Sequence, residues 1–353
     1  MGHKAHKPAN SSLAHLRAST LVNQEQNKEI NTHSQEDYLD VIGQHHVKRA
    51  LTICAAGMHN ILLMGPPGTG KTMLIKRLPS ILPPLTNEQA LEVTKIYSSA
   101  GRFHSGDCKF ISERPFRAPH HTISASGLVG GGGIPKPGEI SLAHHGVLFL
   151  DELPEFKREA LEVLRQPLEE HRVTISRSKA SFTFPAQFLL AASLNPCPCG
   201  YYLSEPPLPV CTCTPYRISQ YREKISGPLL DRIDMQVEVP RPTNLQTDPR
   251  PLGSAQMRQN VLGAVKIQQL RYSGTSYRYN SELSGRAIRV LTNVTTEAYQ
   301  LLNHSFEALG LSMRAYDRII KLARTIADLE QHDTVEPIHI AEAIQYRQLD
   351  QQR

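Results

Sequence analysis

The sequence predicts an α/β fold with a parallel sheet, followed by a smaller domain that is wholly helical. Short apolar runs alternate with helical patterns between residues 60 and 240, which is typical of a parallel sheet with crossover helices. A Pro-rich stretch over residues 240–254 interrupts this alternation, and only helical periodicity follows it. We therefore predict a disordered tail or linker over residues 1–35, an α/β core over 36–242 and a helical domain over 243–353.

The elements of the core can be assigned from their patterns. Residues 1–35 are polar and lack periodicity, so regular structure is expected to begin near Asp37. A helix should follow, with one apolar face formed by Val47, Ala50, Leu51 and Cys54. The predicted strands are NILLM (60–64), VLFLD (147–151), QFLLAAS (187–193) and, at the sheet edge, DMQVEVP (234–240).

The helical domain has clear start signals. Ser312 is a predicted N-cap, and the apolar stripe that follows it consists of Ile319, Leu322, Ala323 and Ile326. Pro337 lies near the start of the last predicted helix, where its missing N–H carries no cost.

The composition is that of a soluble globular protein, with 40% apolar and 20% charged residues among 353. No apolar run approaches the roughly 18 residues of a membrane span, and the N-terminus lacks the apolar segment of a secretory signal. We therefore predict a cytoplasmic protein without membrane contact. The net charge of +6 is compatible with nucleic acid but also with many ordinary proteins.

The segment GPPGTGKT matches the phosphate-loop pattern G-x-x-x-x-G-K-[ST] at every position, between a predicted strand and a predicted helix. Its glycines let backbone N–H groups turn toward phosphates at a helix N-terminus. Lys71 would place its charge on the β- and γ-phosphates, and Thr72 would ligate Mg²⁺. The predicted nucleotide-binding residues are Gly65, Pro66, Pro67, Gly68, Thr69, Gly70, Lys71 and Thr72.

A second, acidic motif completes the site of a nucleotide triphosphatase. VLFLDE (147–152) ends a predicted buried strand with two carboxylates. Asp151 is placed to hold Mg²⁺, and Glu152 to orient and deprotonate the attacking water. An acidic residue that merely ends a strand is common, but a complete phosphate loop in the same chain favours the catalytic interpretation.

Two irregular segments flank the acidic motif. Residues 116–146 are rich in Gly and Pro, and the four glycines at 130–133 lack the strand and the Lys-Thr of a second phosphate loop, which favours a mobile protruding loop with Lys136 exposed. Residues 172–185 alternate apolar and polar positions, which predicts a β-hairpin with Arg177 and Lys179 near its tip. A charged tip is usually only a solvated turn, and contact with nucleic acid is the alternative.

Eight segments in one order carry a family resemblance: GPPGTGKT, RPFRAPHH, GEISLAHHGVLFLDELPEF, LRQPLE, NPCPCG, SGPLLDRID, LSMRAYDRI and ARTIADLE. From about Glu36 to the C-terminus the chain resembles the Mg-chelatase-like AAA+ ATPases of the ComM/YifB family, which are similar to the magnesium chelatase ATPase subunit and to MCM helicases. The resemblance implies a P-loop AAA+ core with a helix-2 insert, a β-hairpin before sensor 1 and a C-terminal all-α lid.

The same resemblance implies function and partners. It implies a homo-hexameric ring that hydrolyses ATP with Mg²⁺, and a DNA helicase that drives branch migration in natural competence and recombination, on branched or single-stranded DNA. Lys136, Arg177 and Lys179 are then expected to contact DNA. The alternative is a magnesium-chelatase-like ATPase subunit that remodels a protein partner.

The resemblance also assigns roles to single residues. Asn195 resembles sensor 1, which helps to position the attacking water. Arg232 resembles the arginine finger that enters the neighbouring subunit's nucleotide site, and Arg314 resembles sensor 2, which touches the γ-phosphate. A cation such as Arg314 in a first helical turn opposes the helix dipole, so a nearby anion would explain it. Ile42 and Gln44 resemble the segment that packs around adenine.

The family usually carries a Lon-protease-like domain ahead of the ATPase core, and here residues 1–35 stand in its place. On this expectation the chain is a fragment, a truncated gene product or a short paralogue.

Four of the six cysteines form two C-x-C pairs directly behind Asn195. Four thiolates can supply a closed tetrahedral Zn²⁺ site, although C-x-C is tighter than the usual C-x₂-C spacing. Reduced packing thiols and a disulfide are the alternatives for Cys197, Cys199, Cys211 and Cys213. Of the other two, Cys54 and Cys108 are isolated in sequence, and Cys54 lies on an apolar helix face, as expected for packing.

Overall fold

The computed structural model describes residues 36–102, 110–176, 181–202, 204, 208–241 and 251–347. The predicted tail over residues 1–35, Arg177 and Lys179 at the hairpin tip, and Cys108 lie outside the described residues.

A parallel sheet of five strands forms the centre of the α/β part, in the order β2-β5-β8-β1-β9. Two antiparallel hairpins, β3-β4 and β6-β7, accompany it. The strands are β1 (Ile61–Met64), β2 (Phe116–Arg117), β3 (Gly130–Gly131), β4 (Lys136–Pro137), β5 (Val147–Leu150), β6 (Arg172–Ser176), β7 (Ser181–Pro185), β8 (Leu189–Leu194) and β9 (Met235–Glu238). The predicted fold class is confirmed, and β9 lies at the sheet edge as expected.

Nine helices belong to the described α/β part: α1 (His45–Gly57), α2 (Lys71–Lys76), α3 (Asn87–Ser99), α4 (Ala125–Val129), α5 (Glu139–Leu142), α6 (Arg158–Glu162), α7 (Arg165–Glu170), α8 (Pro215–Glu223) and α9 (Gly227–Leu230). Five follow in the helical part: α10 (Ser254–Arg271), α11 (Arg286–Leu291), α12 (Thr296–Ala308), α13 (Met313–Leu329) and α14 (Pro337–Gln345). Short 3₁₀ turns lie at Tyr38–Asp40, Leu78–Ser80, Leu153–Glu155 and Asn280–Glu282.

The strand order brings three functional segments to one place. The strands β1, β5 and β8 are buried along their whole length, and β8 lies between the other two. Because parallel strands end at the same edge of a sheet, the residues that follow these three strands meet there.

The helical part packs on the sheet through α1. The apolar faces of α1, α10 and α13 join one side of the sheet in a single buried cluster. All four predicted stripe residues of α13 are fully buried, and Ser312 caps the helix by accepting from the Ala315 N–H over 3.1 Å. Burying such side chains stabilises the fold by about 1.5–3 kcal/mol each.

The two irregular segments contain regular structure within their described residues. The Gly-rich segment is only partly a loop, because it forms α4 and the small β3-β4 hairpin, whose turn over residues 132–135 carries the exposed Ile134. Lys136 is exposed as expected, and the mobility of the segment stays a prediction. A side chain at Gly130 would meet the Lys136 carbonyl oxygen at 2.2 Å, which explains why glycine is required at this close approach. The predicted second hairpin is confirmed as β6-β7, with Val173 and Ile175 turned into the core.

Within the described residues, no helix combines the length and the apolar character needed to cross a bilayer.

Candidate active site

The phosphate loop runs from the end of β1 to the start of α2. Gly68 and Gly70 have φ angles of 78° and 87°, a region that glycine adopts without strain. Gly65 is needed for space, because a Cβ there would lie 2.3 Å from the Val239 carbonyl oxygen. The local sequence therefore explains the tight turn that leads into α2.

Lys71 turns its ammonium group back toward the loop. Its Nζ donates to the carbonyl oxygens of Gly65 at 2.7 Å and Pro66 at 2.8 Å, and to Oδ1 of Asn195 at 3.2 Å. Burial lowers the pKa of Lys71, and the carboxylates of Asp151 and Glu152 oppose that shift. Because these acceptors are neutral, an anionic phosphate would compete well for the same cation.

The acidic motif reaches the same edge from the end of β5. The hydroxyl of Thr72 donates to Oδ2 of Asp151 over 2.8 Å, so the two predicted Mg²⁺ ligands are adjacent. Oxygen ligands of this kind are what Mg²⁺ prefers in phosphate-binding sites. The Ser193 hydroxyl on β8 donates to the other carboxylate oxygen of Asp151 and so fixes its orientation. The residues present fit a Mg²⁺ ion.

Glu152 is held by its backbone while its side chain remains half exposed. Its φ of 53° is uncommon for a residue with a side chain, and its N–H donates to Ser193 Oγ at 3.2 Å and Asp151 Oδ1 at 3.1 Å. The Nδ1 atom of His121 lies 3.7 Å from Oε2 of this carboxylate. The carboxylate is thus accessible to water beside the phosphate loop.

Ile42 and Gln44 lie beside the same edge, next to the segment that follows β9. The Gln44 side chain donates to the Pro240 carbonyl oxygen over 2.6 Å, and Ile42 is partly exposed. Val239 connects this segment to the phosphate loop, because its N–H donates to the carbonyl oxygen of Met64 over 2.7 Å. Their predicted contact with adenine stays a prediction.

Arg232 lies at the opposite edge of the sheet. Asn60, which precedes β1, donates from its side chain to the Arg232 carbonyl oxygen over 3.0 Å. Its backbone N–H donates to Asp234, which precedes β9, over 2.8 Å. The Arg232 guanidinium is 6% exposed, borders a cavity of about 270 Å³, and is paired with Glu169 and with the Pro228 carbonyl oxygen. It is therefore remote from Lys71 of its own chain.

Arg314 belongs to the Arg232 side of the molecule. It follows the first residue of α13, and its Nη1 lies 4.0 Å from Oδ2 of Asp231, the residue before Arg232. The carboxylate of Asp231 is thus part of the negative charge that we expected beside Arg314 in this first helical turn. The guanidinium remains largely exposed, so it is accessible to a neighbouring molecule.

The four clustered cysteines meet in space. The Sγ atom of Cys197 lies 3.3 Å from Cys199 and 3.7 Å from Cys211, and Cys199 and Cys211 are 3.6 Å apart. Cys213 completes a group whose sulfur atoms all lie within 4.8 Å of one another. These separations exceed a disulfide bond of about 2.05 Å.

Two residues of the site were missed by sequence reasoning. Ser193 is a polar residue in an otherwise apolar strand, two positions before Asn195, and this interruption was a usable signal because alternate residues face one side. His121 follows β2, and its proximity to Glu152 depends on the strand order, which one sequence does not report.

Comparisons with known proteins identify the family of the chain. The family "Magnesium chelatase, subunit ChlI" matches residues 37–247, and "Magnesium chelatase, subunit ChlI C-terminal" matches residues 252–347. The chain is 46% identical to Competence protein ComM of Haemophilus influenzae over 317 residues, 88% of this chain and 60% of that protein. It is 45% identical to YifB of Escherichia coli over 319 residues, 90% of this chain and 61% of that protein.

A more distant relative is the magnesium-chelatase 38 kDa subunit of Chlorobaculum parvum, 24% identical over 182 residues, 45% of this chain and 53% of that protein. The chain spans about 60% of the length of ComM and YifB. The family indicates an AAA+-type ATPase that uses ATP and Mg²⁺. The chain therefore belongs to the family of the magnesium chelatase subunit ChlI, and within it is similar to the ComM and YifB proteins.

Proposed function

We propose that the chain is the ATPase of a homo-hexameric ring that moves along DNA, each nucleotide site being completed by a neighbouring subunit. The observation that carries the proposal is the division of the site. Lys71, Thr72, Asp151 and Asn195 converge on one edge of the sheet, whereas Arg232 lies at the other. One chain thus offers half a site at each of two edges.

The first half-site has the groups that hydrolysis of ATP requires. Lys71 would bind the β- and γ-phosphates, and Thr72 and Asp151 would hold Mg²⁺, which neutralises charge on the phosphate oxygens. Glu152 accepts a proton from the attacking water, and the amide of Asn195 orients that water beside Lys71. Ser193 holds the Asp151 carboxylate and the backbone of Glu152 in place through hydrogen bonds to its hydroxyl.

The second half-site is Arg232 with Arg314. Arginine fingers are worth roughly 10³–10⁵ in rate, or about 4–7 kcal/mol of barrier. Arg232 would leave Glu169 to reach the neighbour's γ-phosphate, and the exposed guanidinium of Arg314 would bind at the same interface. A head-to-tail contact of this kind closes into a ring when the rotation permits.

Coupling to DNA is supported by the position of the β6-β7 hairpin. Only residues 186–188 separate β7 from β8, and β8 ends one residue before Asn195. A displacement of the hairpin by a bound strand would therefore reach the nucleotide site through β8. Arg177 and Lys179 near the tip, with Lys136 on the other hairpin, are the proposed phosphate contacts. The name Competence protein ComM connects that relative to competence.

The test is the steady-state ATPase rate of the full chain, measured without DNA and with single-stranded, forked and four-way DNA. We expect DNA to raise the rate and the intact protein to convert four-way substrates. Lys71→Ala should abolish both activities. Arg177→Ala combined with Lys179→Ala should weaken stimulation by DNA while leaving the basal rate unchanged, with Arg158→Ala as a control for lost positive charge.

An ATPase that ignores all three DNA substrates would refute the DNA motor. If that enzyme instead bound a protein partner tightly and changed its state at the expense of ATP, the chelatase-like alternative would replace it.

A further inference from the structure

Three groups of metal-binding side chains occur among the described residues: the four cysteines, Glu92 with His144 and His145, and Glu330 with His332 and His339. In the second group, His144 Nδ1 accepts from the Gln187 N–H at 3.0 Å, so its Nε2 carries the proton that faces Glu92.

The third group has the same limitation. His339 Nδ1 accepts from the Glu336 N–H at 2.9 Å, which places the proton on the Nε2 atom that faces Glu330. A metal ligand needs a free lone pair, and in each histidine group one inward nitrogen, Nε2 of His144 or Nε2 of His339, is committed to a proton. The cysteine group has no such obstacle.

The sulfur atoms are spaced for a tetrahedral ion. Four sulfurs bound at about 2.3 Å define a tetrahedron whose edges are about 3.8 Å. The separations of 3.3, 3.6 and 3.7 Å among Cys197, Cys199 and Cys211 are close to that edge, and Cys213 lies within 4.8 Å of the other three. The Cys213 N–H donates to Sγ of Cys211 over 3.4 Å, which holds the second C-x-C pair in a tight turn. Cys197 is fully buried, which leaves no open coordination position on its side.

We propose that Cys197, Cys199, Cys211 and Cys213 bind one Zn²⁺ ion, and that this ion fastens the loop over residues 195–213 onto the phosphate loop. A closed site of four thiolates is typical of structural zinc. The ion would join Cys197 and Cys199 to Cys211 and Cys213, which directly precede Thr214 at the N-cap of α8.

The loop touches the nucleotide site at two points. Gly200 has a φ of 88° and sits so close to Pro67 that a Cβ would lie 2.6 Å from the proline Cδ. Asn195 binds Lys71 through its side chain, and its backbone hydrogen-bonds the hydroxyl of Tyr221 on α8. Fixing the loop therefore fixes both the back of the phosphate loop and the amide of Asn195.

The first experiment measures metal in the full chain, purified without chelators, by inductively coupled plasma mass spectrometry. We expect about one zinc per chain, as for other closed four-thiolate sites. Cys213→Ser and Cys197→Ser should each lose most of it, whereas Cys108→Ser, the control thiol, should retain it. Co²⁺ exchanged into the protein should show thiolate-to-cobalt charge transfer and tetrahedral d–d bands.

Three results would overturn the proposed site. The first is less than about half an equivalent of zinc in the parent protein, since a structural site of this kind should be filled. The others are iron in place of zinc, and a full equivalent of zinc in Cys213→Ser.

A second experiment tests the attachment to the phosphate loop by hydrogen exchange, which needs neither ATPase nor DNA activity. The attachment of the cysteine loop to the phosphate loop rests on the proposed function and deepens it. The hydrogen-exchange result does not depend on whether the chain hydrolyses ATP or moves along DNA. Removing zinc with a chelator, or Cys213→Ser, should speed exchange about ten-fold in peptides over residues 64–72 and 194–214. Peptides from α13 should be unchanged, which shows that the chain remains folded. Unaltered exchange over 64–72 would refute the attachment.

Discussion

The division of the nucleotide site between subunits makes a prediction about mixed assemblies. Lys71→Ala and Arg232→Ala should each be inactive alone, and an assembly that contains both variants should be active. Residues 60 and 65 flank β1, whose four residues span about 13 Å at the usual strand rise, more than an arginine side chain can bridge. In the proposed ring, Arg232 would therefore serve only another subunit's Lys71. Losing the finger should cost roughly 10³–10⁵ in rate.

The activity of a mixture of the two variants distinguishes an Arg232 that acts on the neighbouring subunit from one that acts on its own chain. In a ring of randomly placed subunits at equal amounts, about a quarter of the interfaces pair an intact Lys71 with an intact Arg232 from the neighbour. Activity should then recover to about a quarter of the parent rate per site, because rings of this kind join unlike surfaces. If the arginine served its own chain, no subunit would carry both groups and the mixture would remain inactive.

The assay is phosphate release from co-expressed variants that carry two different affinity tags, so that only mixed assemblies are purified. Arg165→Ala, which removes an exposed arginine paired with Glu162, is the matched control and should keep the parent rate. Arg232→Ala should retain nucleotide binding. Normal hydrolysis by Arg232→Ala, or a mixture no more active than its components, would refute the reasoning.

Three further outcomes are expected. Asn195→Ala should lower kcat by about 10²-fold or more while leaving affinity for a fluorescent ATP analogue within a few-fold, since the residue orients water; lost binding would contradict this role. His121→Ala should lower kcat with KM unchanged, because His121 neighbours Glu152 and not the phosphate loop; an effect on KM alone would argue against it. Burial and then His144 lower the pKa of His145 to about 4, so the unfolded chain takes up a proton first as pH falls below 6.5. The free energy of unfolding should drop by about 2 kcal/mol from pH 7 to pH 5, and His145→Gln should flatten that slope in urea titrations.

Much of the fold was predictable because its signals are local. Buried runs such as ILLM require an interior strand, and GPPGTGKT specifies its own turn through Gly68 and Gly70. The hairpin over residues 172–185 followed from simple alternation, and the capped helix after Ser312 from its polar start and apolar stripe.

The remainder depends on tertiary packing. The order of the strands decides that Ser193 supports Asp151 and that His121 approaches Glu152, and neither contact has a signature at fixed sequence spacing. Of the glycines at 130–133, Gly132 and Gly133 lie in a turn, but Gly130 and Gly131 form β3. Close backbone approach between β3 and β4 requires glycine just as an irregular chain favours it, so composition does not separate the two.

Asn60 gives the molecule a mechanical property. Asn60 directly precedes β1, and it hydrogen-bonds the Arg232 carbonyl oxygen through its side chain and Asp234 through its backbone N–H. Its side-chain oxygen also accepts from the Leu190 N–H near the start of β8. The strand β1 leads into the phosphate loop that ends at Lys71, and β8 leads directly to Asn195. In the proposed ring, one subunit would therefore act as a stiff connection between its own nucleotide and that of its neighbour. We expect such connections to make hydrolysis cooperative in the proposed ring. In the proposed ring, Asn60→Ala would weaken this connection without removing any residue of the nucleotide sites. The subunits would then hydrolyse ATP independently of one another, and the Hill coefficient would fall toward one.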